Sequence, residues 1–77
     1  MNDKEILSAL YATVENRRDN PKEGSYTCYL LDKGIDKILK KVGEECSETI
    51  IAAKNGDNSE TVYEIADLIY HLTVMMV

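Results

Sequence analysis

The sequence predicts an all-α protein, an antiparallel helical bundle of about four helices completed by homodimerisation. Three observations carry this. Apolar residues recur at three- and four-residue spacing, and no segment alternates in the manner of a strand. The segments open at capping residues and are joined by short connections, which favours antiparallel neighbours. Finally, 77 residues make a single domain, 1–77. A chain of that size buries only about 60% of its unfolded surface, so metal or self-association has to supplement a lone core.

The first helix is expected to open at Asn2 or Asp3, since Asn2 and Glu5 have capping-box spacing. Ile6, Leu7, Leu10, Tyr11 and Val14 then recur at helical intervals, and the helix should fade near Arg17 ahead of the turn-rich "RRDNPKEGS". "SYTCYLL" predicts a short helix with Ser25 or Thr27 at its start and Gly34 near its end. Asp36 is expected to cap the third helix, which runs to about Lys54 and stops at "NGD". Ser59, or Asp57 with Glu60, starts the fourth, which reaches the last residue without a stop signal.

Composition excludes several classes. The net charge is −5 and no basic cluster is dense enough to track a phosphodiester backbone, so nucleic acid is not an expected partner. The longest uncharged run, Leu68 to Val77, is about half the ~20 residues of a membrane span. "MNDKEILSAL" lacks the pattern of a signal peptide. Cys28 and Cys46 have no metal-ligand spacing and read as free thiols packed as small hydrophobes in a cytoplasmic protein.

Charge is unevenly placed. Residues 1–54 hold all nine Lys and Arg against ten acids, whereas residues 55–77 hold four acids and no base. On the third helix, Lys37, Lys40, Lys41, Glu44, Glu45 and Glu48 fall within an arc of about 140°, opposite Ile38, Leu39, Val42, Cys46, Ile50 and Ala53. Alone, that is an amphipathic helix with a solvated charged face. On the fourth helix Glu60, Glu64, Asp67 and His71 share an arc of about 60°, and most of the remaining circumference is apolar. A helix apolar nearly all round is expected to be buried, and a buried carboxylate seam needs positive charge facing it.

Packing across "NGDN" would bring Glu45 and Glu48 near Glu64 and Asp67. The lysines of the third helix cannot neutralise all of them, because Glu44, Glu45 and Glu48 compete for the same ones. An all-oxygen cluster suits a hard divalent ion, Mg²⁺ or Mn²⁺, and Mg²⁺ beside lysines suggests phosphate chemistry. His71 is open to two readings, a partner of Asp67 or a substrate, or a buried imidazole satisfied by its neighbours.

The pattern Glu44-Glu45-x-x-Glu48, fifteen residues, then Glu64-x-x-Asp67 resembles the signature of the all-α, MazG-like nucleoside triphosphate pyrophosphatases. "SYTCYLLDKGIDKILKKVGEECSETIIAAKNGD" with "YEIADLIYHLTV" narrows the resemblance to the phosphoribosyl-ATP pyrophosphatases of histidine biosynthesis. The resemblance implies Mg²⁺-dependent hydrolysis of the α–β phosphoanhydride of phosphoribosyl-ATP, giving phosphoribosyl-AMP and pyrophosphate. By motif position it implies Glu45, Glu48, Glu64 and Asp67 as metal ligands, with Glu44 as a further ligand or orienting the attacking water beside Glu45. Lys37, Lys40 and Lys41 would face the phosphates, and Ser25, Tyr26, Thr27 and His71 would contact the nucleotide substrate. It also implies a dimer with sites near the subunit interface. Family members continue past the position of Val77, so the domain is expected to be short at its C-terminus. Two rivals stand beside this reading: a housekeeping pyrophosphatase for non-standard nucleoside triphosphates, and a non-catalytic helical dimerisation module whose carboxylates pair with lysines across the interface.

Overall fold

The computed structural model describes residues 2–77 as four helices, α1 (Asp3–Asp19), α2 (Tyr26–Lys33), α3 (Ile35–Lys54) and α4 (Asn58–Met76), with no strand among the described residues. Their starts follow local chemistry. Asn2 and Glu5 form the expected capping box, with Asn2 Oδ1 accepting from the Glu5 amide at 2.9 Å and Glu5 Oε2 accepting from the Asn2 amide at 3.3 Å. Ser25 Oγ caps α2 at the Cys28 amide, and Asp57 Oδ1 caps α4 at the Glu60 amide. Helix α1 continues past Arg17 to Asp19, because Arg17 and Arg18 suit the negative end of the helix dipole. Asn20 ends it, since a residue ahead of a proline avoids the helical region.

One residue, Gly34, joins α2 to α3 at φ +90°, a conformation that side-chain-bearing residues rarely adopt. Gly34 is at once the C-cap of α2 and the N-cap of α3. Asp36, expected to cap α3, therefore lies in its first turn instead, where a negative charge still favours the dipole. At the other end of α3 the chain closes a Schellman motif: the Asp57 amide donates to the Ala52 carbonyl at 3.2 Å and the Gly56 amide to Ala53 at 3.1 Å. Gly56, at φ +73°, supplies the left-handed residue that this motif needs. The turn folds α4 back on α3, and these two helices make the most extensive contact in the molecule.

The core takes one side chain from each helix: Val14, Leu30, Ile38 and Val74. Around it the expected faces of α3 and α4 are only partly kept: Ile38 from the apolar arc and Glu64 and His71 from the acidic seam are buried, but other residues are displaced. Glu45, placed by the helical wheel on the solvated charged face, is 4% exposed, while Ile50 on the supposed core arc is 67% exposed and Leu39 and Cys46 are exposed too. Helix α3 turns Ile38, Glu45 and Ala52 inward, a seven-residue repeat of which the charged residue is the middle member. Nor is α4 buried all round. Its buried residues are Glu64, His71, Thr73 and Val74, and Val62 is 68% exposed with Ile65, Ile69 and Met76 on the same helix also exposed. The physical reason is area: four short helices offer one inner seam, and the carboxylates occupy it. The apolar arcs are left without a partner surface.

Both cysteines are free. Cys28 is half-buried and pins the loop after α1, accepting from the Lys22 amide at 3.4 Å and donating to the Arg17 carbonyl at 3.6 Å. Cys46 is exposed and does not pack as a core residue, because α3 turns the Ile38, Glu45 and Ala52 side inward. Among the described residues, no helix is long and apolar enough to cross a membrane.

Candidate functional site

The seam between α3 and α4 holds three carboxylates. Glu45 and Glu48 are one helical turn apart on α3, and Glu64 faces them from α4; one oxygen from each lies within 4.8 Å of the others. Glu45 and Glu64 are buried, while Glu48 is exposed at the rim. A buried carboxylate oxygen nearly always has a partner, yet Glu45 Oε2 and Glu64 Oε2 have none. Two buried oxygens without a hydrogen-bond partner, on two of the three residues of one all-oxygen cluster, fit a hard divalent cation, whose ligands are carboxylates and water.

Lysines do not substitute for that cation. Lys41 Nζ lies 3.1 Å from Glu44 Oε2 and 3.7 Å from Glu45 Oε1. The hydrogen bond from Lys41 is the main cause that holds the Glu44 carboxyl below its ordinary range, and Lys41 is raised in turn. Glu48 and Glu64 form no ion pair among the described residues. Within the protomer only Glu44 and Glu45 are paired with a lysine among the described residues.

The fourth motif acid, Asp67, stands outside the three-carboxylate group. Its charge and that of Glu45 reach the Tyr26 phenol; burial first, then Tyr70 and these two charges, raise the Tyr26 pKa against the opposing effect of Lys41. Glu60 instead flanks Glu64, one turn earlier on α4, and lines a cavity of about 430 Å³ with Glu48, Ala52, Asn55, Asp57 and Glu64. The sequence signal for Glu60 was present, since it shares the arc of Glu64. The motif pointed past it to Asp67, and its capping role hid it.

His71 is 3% exposed and closed on both ring nitrogens. Its Nδ1 donates to the Asp67 backbone carbonyl at 2.8 Å, so Nε2 accepts from the Tyr26 hydroxyl at 2.9 Å. The imidazole thus clamps α2 to α4 and bonds the Asp67 backbone rather than its carboxylate. Thr27 Oγ1 bonds the Tyr70 hydroxyl, a second tie between the same helices, and Ser25 Oγ is engaged as the α2 cap. Of the expected substrate contacts on α2, Tyr26 presents an exposed ring, stacked between Tyr29 and Tyr70. Lys40 is exposed and Lys37 half-buried on the same helix as the glutamates. A groove of about 630 Å³ lies between the loop of Pro21–Ser25 and α2 rather than at the carboxylates.

The cluster sets a pH dependence. The Glu45 carboxylate first, then Glu48, burial and Glu60 push the Glu64 pKa up from 4.5 to about 8. The folded protein therefore holds this proton more tightly than the unfolded chain. Its contribution to stability is complete below about pH 4.5 and is lost as pH rises through about 8. Thermal melts in chelator are expected to show a lower Tm at pH 8 than at pH 5.5, with Mn²⁺ or Mg²⁺ reversing the loss. A pH-independent Tm in chelator would show that the three carboxylates are not in one another's field.

Residues 7–77 match the family described as phosphoribosyl-ATP pyrophosphohydrolase. The chain is 58% identical over 77 residues to the phosphoribosyl-ATP pyrophosphatase of Clostridium botulinum (strain Kyoto / Type A2), covering all of this chain and 70% of that protein. It is 60% identical over 72 residues to the phosphoribosyl-ATP pyrophosphatase of Streptococcus thermophilus, 94% of this chain and 69% of the relative. It is also 62% identical over 73 residues to the histidine biosynthesis bifunctional protein HisIE of Caldanaerobacter subterraneus subsp. tengcongensis, 95% of this chain but only 36% of that longer protein.

Proposed function

The chain belongs to the phosphoribosyl-ATP pyrophosphohydrolase family, and from that premise we propose that it hydrolyses the α–β phosphoanhydride of phosphoribosyl-ATP to phosphoribosyl-AMP and pyrophosphate. The reaction is the second step of histidine biosynthesis, a cytoplasmic one. The observation that carries this reading is the pair of unpartnered buried oxygens on Glu45 and Glu64 inside a three-carboxylate cluster. Glu45, Glu48 and Glu64 would hold the divalent cation, Mg²⁺ or Mn²⁺, with Asp67 joining them by motif position. Such an ion, when bound, neutralises the triphosphate and makes its phosphorus more electrophilic.

The remaining roles fall to this chain's own groups. Glu44, kept ionised by Lys41, orients the attacking water. As oxygen from that water bonds to phosphorus, its proton passes to the Glu44 carboxylate and on to solvent, the anhydride P–O bond breaks, and pyrophosphate leaves with its charge stabilised by Lys40 and Lys41. Tyr26, steadied by His71, positions the nucleotide at the Asp67 end of the seam. The exposed apolar arcs of α3 and α4 pair with those of a second copy, which excludes water from the back of the site.

Pyrophosphate release from phosphoribosyl-ATP is expected with Mg²⁺ and not with chelator, and not from ATP or dUTP. Release from the control nucleotides instead would transfer the protein to the housekeeping reading with the same cation site.

A further inference from the structure

We propose that Tyr29, Lys33 and Lys37 form a second anion subsite, which takes the phosphate monoester at the far end of the substrate and so separates it from plain nucleoside triphosphates. This rests on the reading above, in which the substrate carries such a group. Three tyrosine rings form a ladder leading away from the seam: Tyr70 and Tyr26 have centroids 6.1 Å apart at 26°, and Tyr26 and Tyr29 have centroids 6.0 Å apart at 22°. Tyr26, the middle ring, lies in the field of Glu45, Asp67 and Lys41. Tyr29, the outer ring, is 42% exposed and lines a groove of about 630 Å³.

Two ammonium groups converge on that outer ring, Lys33 Nζ at 5.8 Å and Lys37 Nζ at 6.0 Å from its centroid. Neither forms an ion pair among the described residues, in contrast to Lys41 and Arg18. Nor does the Tyr29 hydroxyl make a hydrogen bond among those residues, unlike the hydroxyls of Tyr26 and Tyr70. Two like charges drawn to one ring repel each other. The ring face offsets this in part, and an anion bonded to both offsets more of it. The adjoining groove carries Glu23 and Asp32 beside Lys22, so that with Lys33 and Lys37 a net positive charge remains there. A phosphate monoester matches these groups: negative charge, and acceptors for two ammoniums and a phenol. A nucleoside triphosphate whose phosphates sit at the carboxylate cluster has no group to place there.

The test compares kcat/KM for phosphoribosyl-ATP with that for ATP in the wild type, Lys33→Ala and Tyr29→Leu. Each substitution is expected to cut the selectivity ratio about tenfold, chiefly through KM for phosphoribosyl-ATP, with Lys33→Arg recovering most of it. An unchanged ratio in both variants overturns the subsite. If the wild type does not hydrolyse phosphoribosyl-ATP, the functional reading fails, and a titration independent of turnover still decides the subsite. In that titration ribose 5-phosphate, with ribose as control, is expected to shift the amide resonances of residues 29–37. Shifts confined to the carboxylate seam, or equal shifts with ribose, overturn it.

Discussion

Replacing Glu64 by glutamine is expected to reduce pyrophosphate release roughly a hundred- to a thousandfold, the scale on which a single preorganised electrostatic element acts. Activity alone would not separate a lost ligand from a damaged fold, but stability does. In the wild type, saturating Mn²⁺ or Mg²⁺ should raise Tm on the order of 10 °C, since an ion that binds only the folded state stabilises it by mass action. Glu64→Gln should lose most of that increment. In chelator at pH 8, however, it should melt above the wild type, because no buried carboxylate then has to ionise beside Glu45 and Glu48. At pH 5.5, where Glu64 already holds its proton, the two should melt together. A variant that melted below the wild type at every pH would mark Glu64 as a packing residue.

The second large effect concerns the apolar surface. Val62, Ile65, Ile69 and Met76 lie on one stripe of α4 at helical spacing and are all exposed in the single chain. Ile65→Glu is expected to leave the protomer folded and to convert a dimer to monomer in sedimentation velocity, weakening association at least ~30-fold. The melting temperature of the wild type should rise with protein concentration, and that of the variant should not. A wild type that sediments as a monomer at all concentrations would refute the dimer.

Local structure was legible where it depends on neighbours in sequence. The capping box at Asn2 and Glu5, the Ser25 and Asp57 caps and the stop after Lys54 all follow from groups within five residues of one another. The orientation of α3 was not legible. A wheel tells which residues share a face, but the face that turns inward is decided by what packs against it. Here the face of α3 that meets Glu64 of α4 is the one carrying Glu45, and Ile50 is left outside. The acidic seam on α4 was readable because no Lys or Arg follows Asn55. Its true membership was less so. Glu60 and Asp67 lie on opposite sides of Glu64, and only the offset between α3 and α4 decides which of them flanks the cluster.

The joint at Gly34 has a consequence for amide hydrogen exchange. Helix α2 has eight residues, well short of the length at which an isolated helix holds in water. Its rigidity is borrowed from the Tyr26–His71 and Thr27–Tyr70 ties and from Leu30 in the core. Amides of α2 should therefore exchange by local opening well before those of α3 and α4, which share the longest contact. Nucleotide that bridges Tyr26 and the carboxylate seam should slow exchange in α2 most, so that part of its binding free energy goes into ordering the segment that contacts it.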